Sequence, residues 1–226
     1  MKLIGITGKA GSGKTTFSDI LAENENIGVI HIDDILRKIK LKYFKGIMQE
    51  DKTGEKTKVN SKLKTMLYKN KTIFNLFMKF RAKLIEPYLK EEILKLEKEG
   101  KQFILIDDTF LQYQKCYREI SQIIIVNRPF IERRLALEKR EKLSKEEVVA
   151  YDIAHFKGNY KETTRKNNVI KINNNKNIKD LRIKAQVLYK NNFETMRNKY
   201  KVKVTKIEHT PRIKNSLISV IEREER

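Results

Sequence analysis

Residues Gly8 to Thr15 read G-K-A-G-S-G-K-T, a spacing of glycines, lysine and hydroxyl that suits a phosphate group. The glycines let the backbone curl so that successive N–H groups converge on one cavity. The helix expected to follow adds unpaired N-terminal donors and the positive end of its dipole. Lys14 is placed to reach the β- and γ-phosphates of a nucleoside triphosphate, and Thr15 to set its hydroxyl on magnesium. Gly8, Lys9, Ala10, Gly11, Ser12, Gly13, Lys14, Thr15 and Thr16 are therefore the candidate ATP-binding residues, with Lys14 also catalytic. Four of the nine glycines lie in the first thirteen residues, so backbone freedom is concentrated where phosphates would bind.

Two acidic pairs and one basic segment add to this. Transfer of a phosphoryl group to a hydroxyl needs a carboxylate that orients the hydroxyl and takes its proton. Asp33, after an apolar run, is the candidate base, while its neighbour Asp34 is better suited to cap a helix starting at Ile35. Asp107 also follows an apolar run and is the second candidate magnesium ligand, directly or through water. The cation-dense stretch from Glu132 to Lys142 is a candidate lid in which Arg134, Lys139 and Arg140 would neutralise the transferring group, Arg140 catalytically. Part of that stretch also fits a solvated helix carrying i,i+4 ion pairs such as Glu138–Lys142.

The elements that must position these residues alternate. Strands are expected near residues 3–7, 28–32, 103–106, 120–126 and 169–172, with helices from Thr16 to Ala22, from Ile35, from Phe130 and from Ile178 to Tyr189. The continuous apolar runs suit parallel strands buried on both faces. Residues from about 40 to 98 are Lys-rich and helical in pattern: Leu63, Met66 and Leu67 share helical spacing, as do Phe74, Phe77, Phe80 and Leu84. Pro87 marks a break before a further helix, Tyr88 to Glu99, and Gly100 reads as its C-cap. In such an α/β sheet, ligands sit outside the carboxyl ends of the strands, where Gly8, Asp33 and Asp107 all fall. From Lys190 onward the chain is basic and polar, with a short alternating piece, Tyr200 to Ile207, and a possible amphipathic helix, Ile213 to Arg226.

Composition bounds the rest. The 226 residues suffice for one α/β domain with an insertion and an appendage. No apolar run approaches a membrane span, and a cleavable leader would remove the phosphate cradle, so a cytoplasmic location is expected. The single cysteine, Cys116, excludes an intramolecular disulfide and a cysteine zinc cluster. His31, His155 and His209 show no metal-ligand spacing. The net charge of +21 fits a Lys-biased surface and an anionic small ligand better than a dedicated nucleic-acid face, which stays open as an alternative.

The order of these features resembles the dephospho-CoA kinases, phosphate-loop kinases related to nucleoside and nucleotide kinases, over roughly residues 1 to 189. Ile4 through Thr15 is similar to that family's opening motif, His31 to Arg37 to its D-A-D-x-[IL]-x-R, Leu105 to Leu111 to its V-D-x-P-L-L, and Val169 to Asn174 with Leu181 to its closing V-I-x-N-x-G…L. His31 replaces the first Asp of the second motif and Thr109 the Pro of the third. The lid signatures are blurred, with Phe130 to Arg133 and Asp152 to Phe156 in their places. The resemblance implies an α/β fold of the phosphate-loop NTPase type: a kinase domain over 1–189, a helical acceptor-binding insertion at about 40–99, a lid at about 130–157, and a basic extension over 190–226. It implies Asp33 as base, Arg37 on the substrate side, and transfer of the γ-phosphate of ATP to the ribose 3′-hydroxyl of dephospho-CoA, with magnesium. A uridine-type nucleoside kinase or nucleoside monophosphate kinase would use the same loop, base and lid. A basic phosphate-loop protein that binds RNA or a partner is a further alternative.

Overall fold

A computed structural model describes residues 1–43, 70–141, 145, 148, 149, 152, 168–175 and 177–194. Five strands, β1 (Lys2–Thr7), β2 (Ile27–His31), β3 (Phe103–Asp107), β4 (Gln122–Asn127) and β5 (Val169–Asn173), form one all-parallel sheet in the order β2-β3-β1-β4-β5. Helices α1 (Lys14–Ala22), α2 (Ile32–Tyr43), α3 (Lys71–Lys98), α4 (Phe130–Glu141) and α5 (Ile178–Leu188) are interleaved with the strands. This is the α/β parallel sheet flanked by helices that the alternating pattern predicts.

Both sheet faces are covered. Leu3, Ile30, Ile104, Ile106, Ile123 and Ile125 pack with Ile35 and Ile39 of α2, Ile85 and Leu89 of α3, and Leu111, Cys116 and Ile120 of the β3–β4 connection. The alternate residues Ile4, Ile6, Leu105 and Ile124 are equally buried, and α1 lies against β1, β2, β3 and β4 with Phe17 and Leu21 inside. Period-two alternation sends neighbours along a strand to opposite faces, so near-continuous apolar runs result when both faces are dry. Cys116 is buried.

The compact units divide at Arg182, giving Met1–Arg182 and Ile183–Arg226. In the second unit the rings of Tyr189 and Phe193 stack at 6.2 Å within a π-helical turn, Tyr189–Glu194. The expected pieces at 200–207 and 213–226, and Leu63, Met66 and Leu67, lie outside the described residues. Among the described residues no helix is long and apolar enough to cross a membrane.

The structure departs from the sequence pattern in two places that matter for the site. Helix α2 starts at Ile32, so Asp33 and Asp34 lie in its first turn and Asp34 is not its cap. There the two carboxylates favour the positive end of the helix dipole. Helix α3 runs unbroken for 28 residues through Pro87. Its start is capped by Asn70, whose side chain accepts from the amides of Thr72 and Ile73 at 3.0 and 3.1 Å. Its end is a Schellman turn: Gly100, at φ +80°, donates to Glu97 and Lys101 to Leu96. Pro87 and Lys83, whose carbonyl loses its N–H partner, are both exposed, while Ile85 and Leu89 on the buried side hold the helix together. Of Phe74, Phe77, Phe80 and Leu84, only Phe74 is buried, packed with Met78 and Phe110.

Because packing rather than local preference carries α3 through this point, Pro87→Ala restores a backbone bond at no packing loss. We expect it to raise unfolding free energy by about 1–3 kcal/mol in chemical denaturation.

Candidate functional site

Parallel register puts the chemistry on one edge. Asp107 pairs with Ile6 of β1 and with His31 of β2, so the carboxyl ends of three adjacent strands are level. The chain leaves β1 at Thr7, turns with Ser12 N–H donating to the Lys9 carbonyl, and enters α1 at Lys14. Gly11 and Gly13 adopt φ of +74° and +90°, a region that side chains resist. Gly8 passes close to β4, where an added Cβ would come within 2.4 Å of the Val126 carbonyl.

Lys14, Thr15 and Asp107 are brought together. The Thr15 hydroxyl donates to Asp107 Oδ2 at 2.8 Å, which leaves the lone pairs of Thr15 Oγ1 directed away from that bond. The Lys14 ammonium is 3.9 Å from Asp107 Oδ1, an electrostatic contact too long for a hydrogen bond. Oδ1 is buried and, among the described residues, has no hydrogen-bond partner. An orphaned carboxylate oxygen beside an oriented hydroxyl is an all-oxygen donor set, which suits a hard divalent cation such as magnesium. Magnesium is commonly held by one or two protein oxygens together with waters and phosphate oxygens, which is the kind of set Thr15 and Asp107 offer.

His31 borders this group. One ring nitrogen lies 3.0 Å from Asp107 Oδ2 and the other 2.9 Å from Asp19 Oδ1. The hydrogen bond to Asp107 lifts the His31 pKa above its usual 6.5 against the opposing effect of burial, and the charges of Asp107 and Asp19 add to the rise. The sequence showed His31 only as a replacement within a motif; its partners come from β3 and α1.

Asp108 serves a different end. Its side chain is 2% exposed and receives Arg81 of α3 through two bonds, at 3.1 and 3.2 Å. Gln114 adds a third at 2.6 Å and the Phe110 amide a fourth at 3.1 Å. Burial alone would push this carboxyl up, but Arg81, Gln114 and the amide outweigh it and hold the pKa below the usual range. The fixed Arg81 guanidinium is 4.0 Å from Asp33, whose own side chain is 82% exposed. Asp33 thus stands open to solvent at the rim of the strand ends, facing a buried cation. Arg37 instead pairs with Asp34 at 3.0 Å on the surface of α2.

The lid candidates lie on α4. Arg134 pairs with Glu138 at 3.4 Å, one helical turn away, and Lys139 is exposed. Arg140 is on the same helix. The residue that reaches the phosphate loop is the neighbour the sequence did not single out. Arg133 is 2% exposed; it donates to the Ala10 carbonyl at 3.1 Å and to both oxygens of Asp152 at 2.9 and 2.6 Å. Lys9 also reaches Asp152, at 3.3 Å. Burial pushes Asp152 up, but Arg133 and Lys9 pull its pKa below the ordinary value. On the opposite flank the Asn174 amide donates to the Ser12 carbonyl at 2.8 Å. Arg133 and its partner Asp152 both fall on the blurred lid signatures noted above, which is the one sequence signal that separates Arg133 from the other cations of its helix. Asn174 falls on the closing motif noted above.

The sheet order, the glycine-curled loop between β1 and α1, and the Lys14–Thr15–Asp107 cluster define a nucleotide-binding domain of the phosphate-loop NTPase type. A family model described as an AAA domain matches residues 4–153, and the chain belongs to that family. Among solved structures, the crystal structure of TT1252 from Thermus thermophilus is similar in fold, with a TM-score of 0.57 and 22% identity. The match covers 84% of this chain and 97% of that one. No curated protein matches the chain.

Asp152→Asn leaves Arg133 buried with a neutral partner, and we expect a loss of about 2–4 kcal/mol of stability at neutral pH. The folded carboxyl titrates below its unfolded value, so its contribution is present above about pH 4 and is lost as pH falls through the folded value. The gap between wild type and variant in urea melts should therefore narrow below about pH 4. A constant gap down to acid unfolding would refute the assignment.

Proposed function

We propose that the protein is an ATP- and magnesium-dependent kinase of a small hydroxyl-bearing molecule, and that its acceptor is dephospho-CoA, phosphorylated on the ribose 3′-hydroxyl. The observation that carries the kinase reading is the pairing of Thr15 with Asp107 beneath the phosphate loop, one strand away from the exposed Asp33. In this reading the loop amides and Lys14 bind the β- and γ-phosphates, and Thr15 and Asp107 hold magnesium, directly or through water. The metal would neutralise charge on the transferring group. Asp33 orients the acceptor hydroxyl and accepts its proton, with Arg81 beside it. Arg134, Lys139 and Arg140 supply further positive charge from α4, and Arg37 lies on the acceptor side. The acceptor assignment rests on the resemblance of the motifs at Gly8, Asp33, Asp107 and Asn174. A basic chain suits an acceptor that carries a pyrophosphate.

The test is ATP consumption against dephospho-CoA, pyrimidine nucleosides and nucleoside monophosphates. Turnover is expected with dephospho-CoA, abolished in Lys14→Ala and reduced at least about a hundredfold in Asp33→Asn, the scale of a general base. Turnover confined to a nucleoside or nucleotide would transfer the assignment to that kinase class. Salt-dependent RNA binding with no turnover of any acceptor would replace it with a binding role.

A further inference from the structure

We infer that Arg133 and Asn174 are positioning residues for nucleotide binding: by gripping alternate carbonyls of the phosphate loop, they aim the amides of Gly11 and Gly13 at the phosphates. The inference rests on residues 8–15 being a triphosphate cradle, but it does not depend on the acceptor.

The argument is covalent geometry. Across a planar trans peptide, the carbonyl of one residue and the N–H of the next point in opposite directions. Arg133 holds the Ala10 carbonyl at 3.1 Å, so the Gly11 N–H is sent the other way. Asn174 holds the Ser12 carbonyl at 2.8 Å, so the Gly13 N–H is sent away from Asn174. The two residues whose amides are aimed are the two with left-handed φ, which is where this pattern needs glycine. The contacts are also tight. An added Cβ on Gly11 would meet the Arg133 carbonyl at 3.0 Å, and one on Gly13 would meet Asn174 Nδ2 at 2.4 Å.

The gripping groups are themselves fixed. Asn174 donates its own backbone N–H to Asn127 at the end of β4, at 2.7 Å, and it is 8% exposed. The Arg133 Nε donates to the Arg128 carbonyl at 3.2 Å, and Asp152 takes its two outer nitrogens. The Ser12 carbonyl lies outside the α1 ladder, whose first bond runs from Phe17 to Gly13. Without Asn174, nothing in that ladder would oppose rotation of the peptide. A carbonyl turned inward would then set its negative end against the phosphates and remove one N–H from them.

The test measures binding of inorganic tripolyphosphate and of Mg·ATP by calorimetry, with unfolding midpoints recorded in parallel. Asn174→Leu keeps the size and removes the donor without adding charge. It should weaken both ligands about tenfold or more, the worth of one hydrogen bond to a charged group, while leaving adenosine binding unchanged. Arg133→Lys, which retains a donor and the charge, should lose less affinity than Arg133→Met. A folded Asn174→Leu protein with wild-type affinity for tripolyphosphate overturns the inference, as does an equal loss for adenosine. In the wild type, tripolyphosphate should move the Gly11 and Gly13 amide protons downfield. Unmoved amides overturn the inference even if the variants do not fold. Wild-type protein that binds tripolyphosphate but phosphorylates no acceptor sinks the kinase assignment and leaves this inference to the affinities.

Discussion

Everything at the site hangs on the parallel register of β1, β2 and β3. Pairing Ile6 with Asp107 and Asp107 with His31 sets the phosphate loop, the Asp107 carboxylate and the start of α2 at one level. A one-residue slip of β3 would exchange the faces of all its side chains and carry Asp107 away from Thr15. The register is protected because both faces of β3 are buried, so a slip would cost apolar burial on each side.

The same alternation explains why two neighbouring aspartates do different work. Asp107, the last residue of β3, turns to the phosphate loop, and Asp108, one position on, turns to α3. One carboxylate keeps an oxygen with no hydrogen-bond partner among the described residues, beside a lysine; the other spends its lone pairs on Arg81, Gln114 and a backbone amide. A buried ion pair is seldom a net source of stability, because desolvation consumes much of the attraction. What the Asp108–Arg81 pair secures is location: it ties the long helix α3 to the strand end and stations a cation by Asp33. Arg133 does the equivalent on the other flank, tying α4 to the phosphate loop through Ala10 and Asp152.

The legibility of these features in the sequence follows their range. The phosphate loop was plain because its function resides in the backbone of consecutive residues, and backbone conformation is written locally by glycine. The three central strands, β1, β3 and β4, are plain because double-sided burial demands nearly unbroken apolar runs. Pro87 reads as a break because the packing of Ile85 and Leu89 that overrides it is not written in the local sequence. The start of α2 at Ile32 is not legible because Ile30 and Ile32, on either side of His31, read as one strand and Asp33-Asp34 as its polar end. Among the cations of α4, periodicity alone does not show which face meets the loop; only the blurred lid signature at Phe130 to Arg133 points to Arg133.

By itself, then, the sequence determined the donor side: a phosphate cradle between a strand and a helix, in a parallel α/β sheet, with acidic residues at two further strand ends. The tertiary structure decided which side chains meet there. Asn174 reaches Ser12 across 162 residues, Thr15 reaches Asp107 across 92, and Arg81 reaches Asp108 across 27. Local chemistry sets the conformation of a short segment, but a pairing over such distances exists only once the chain has closed and the sheet has brought the strand ends level. The loop announces its own shape, whereas its supports are known only from the fold.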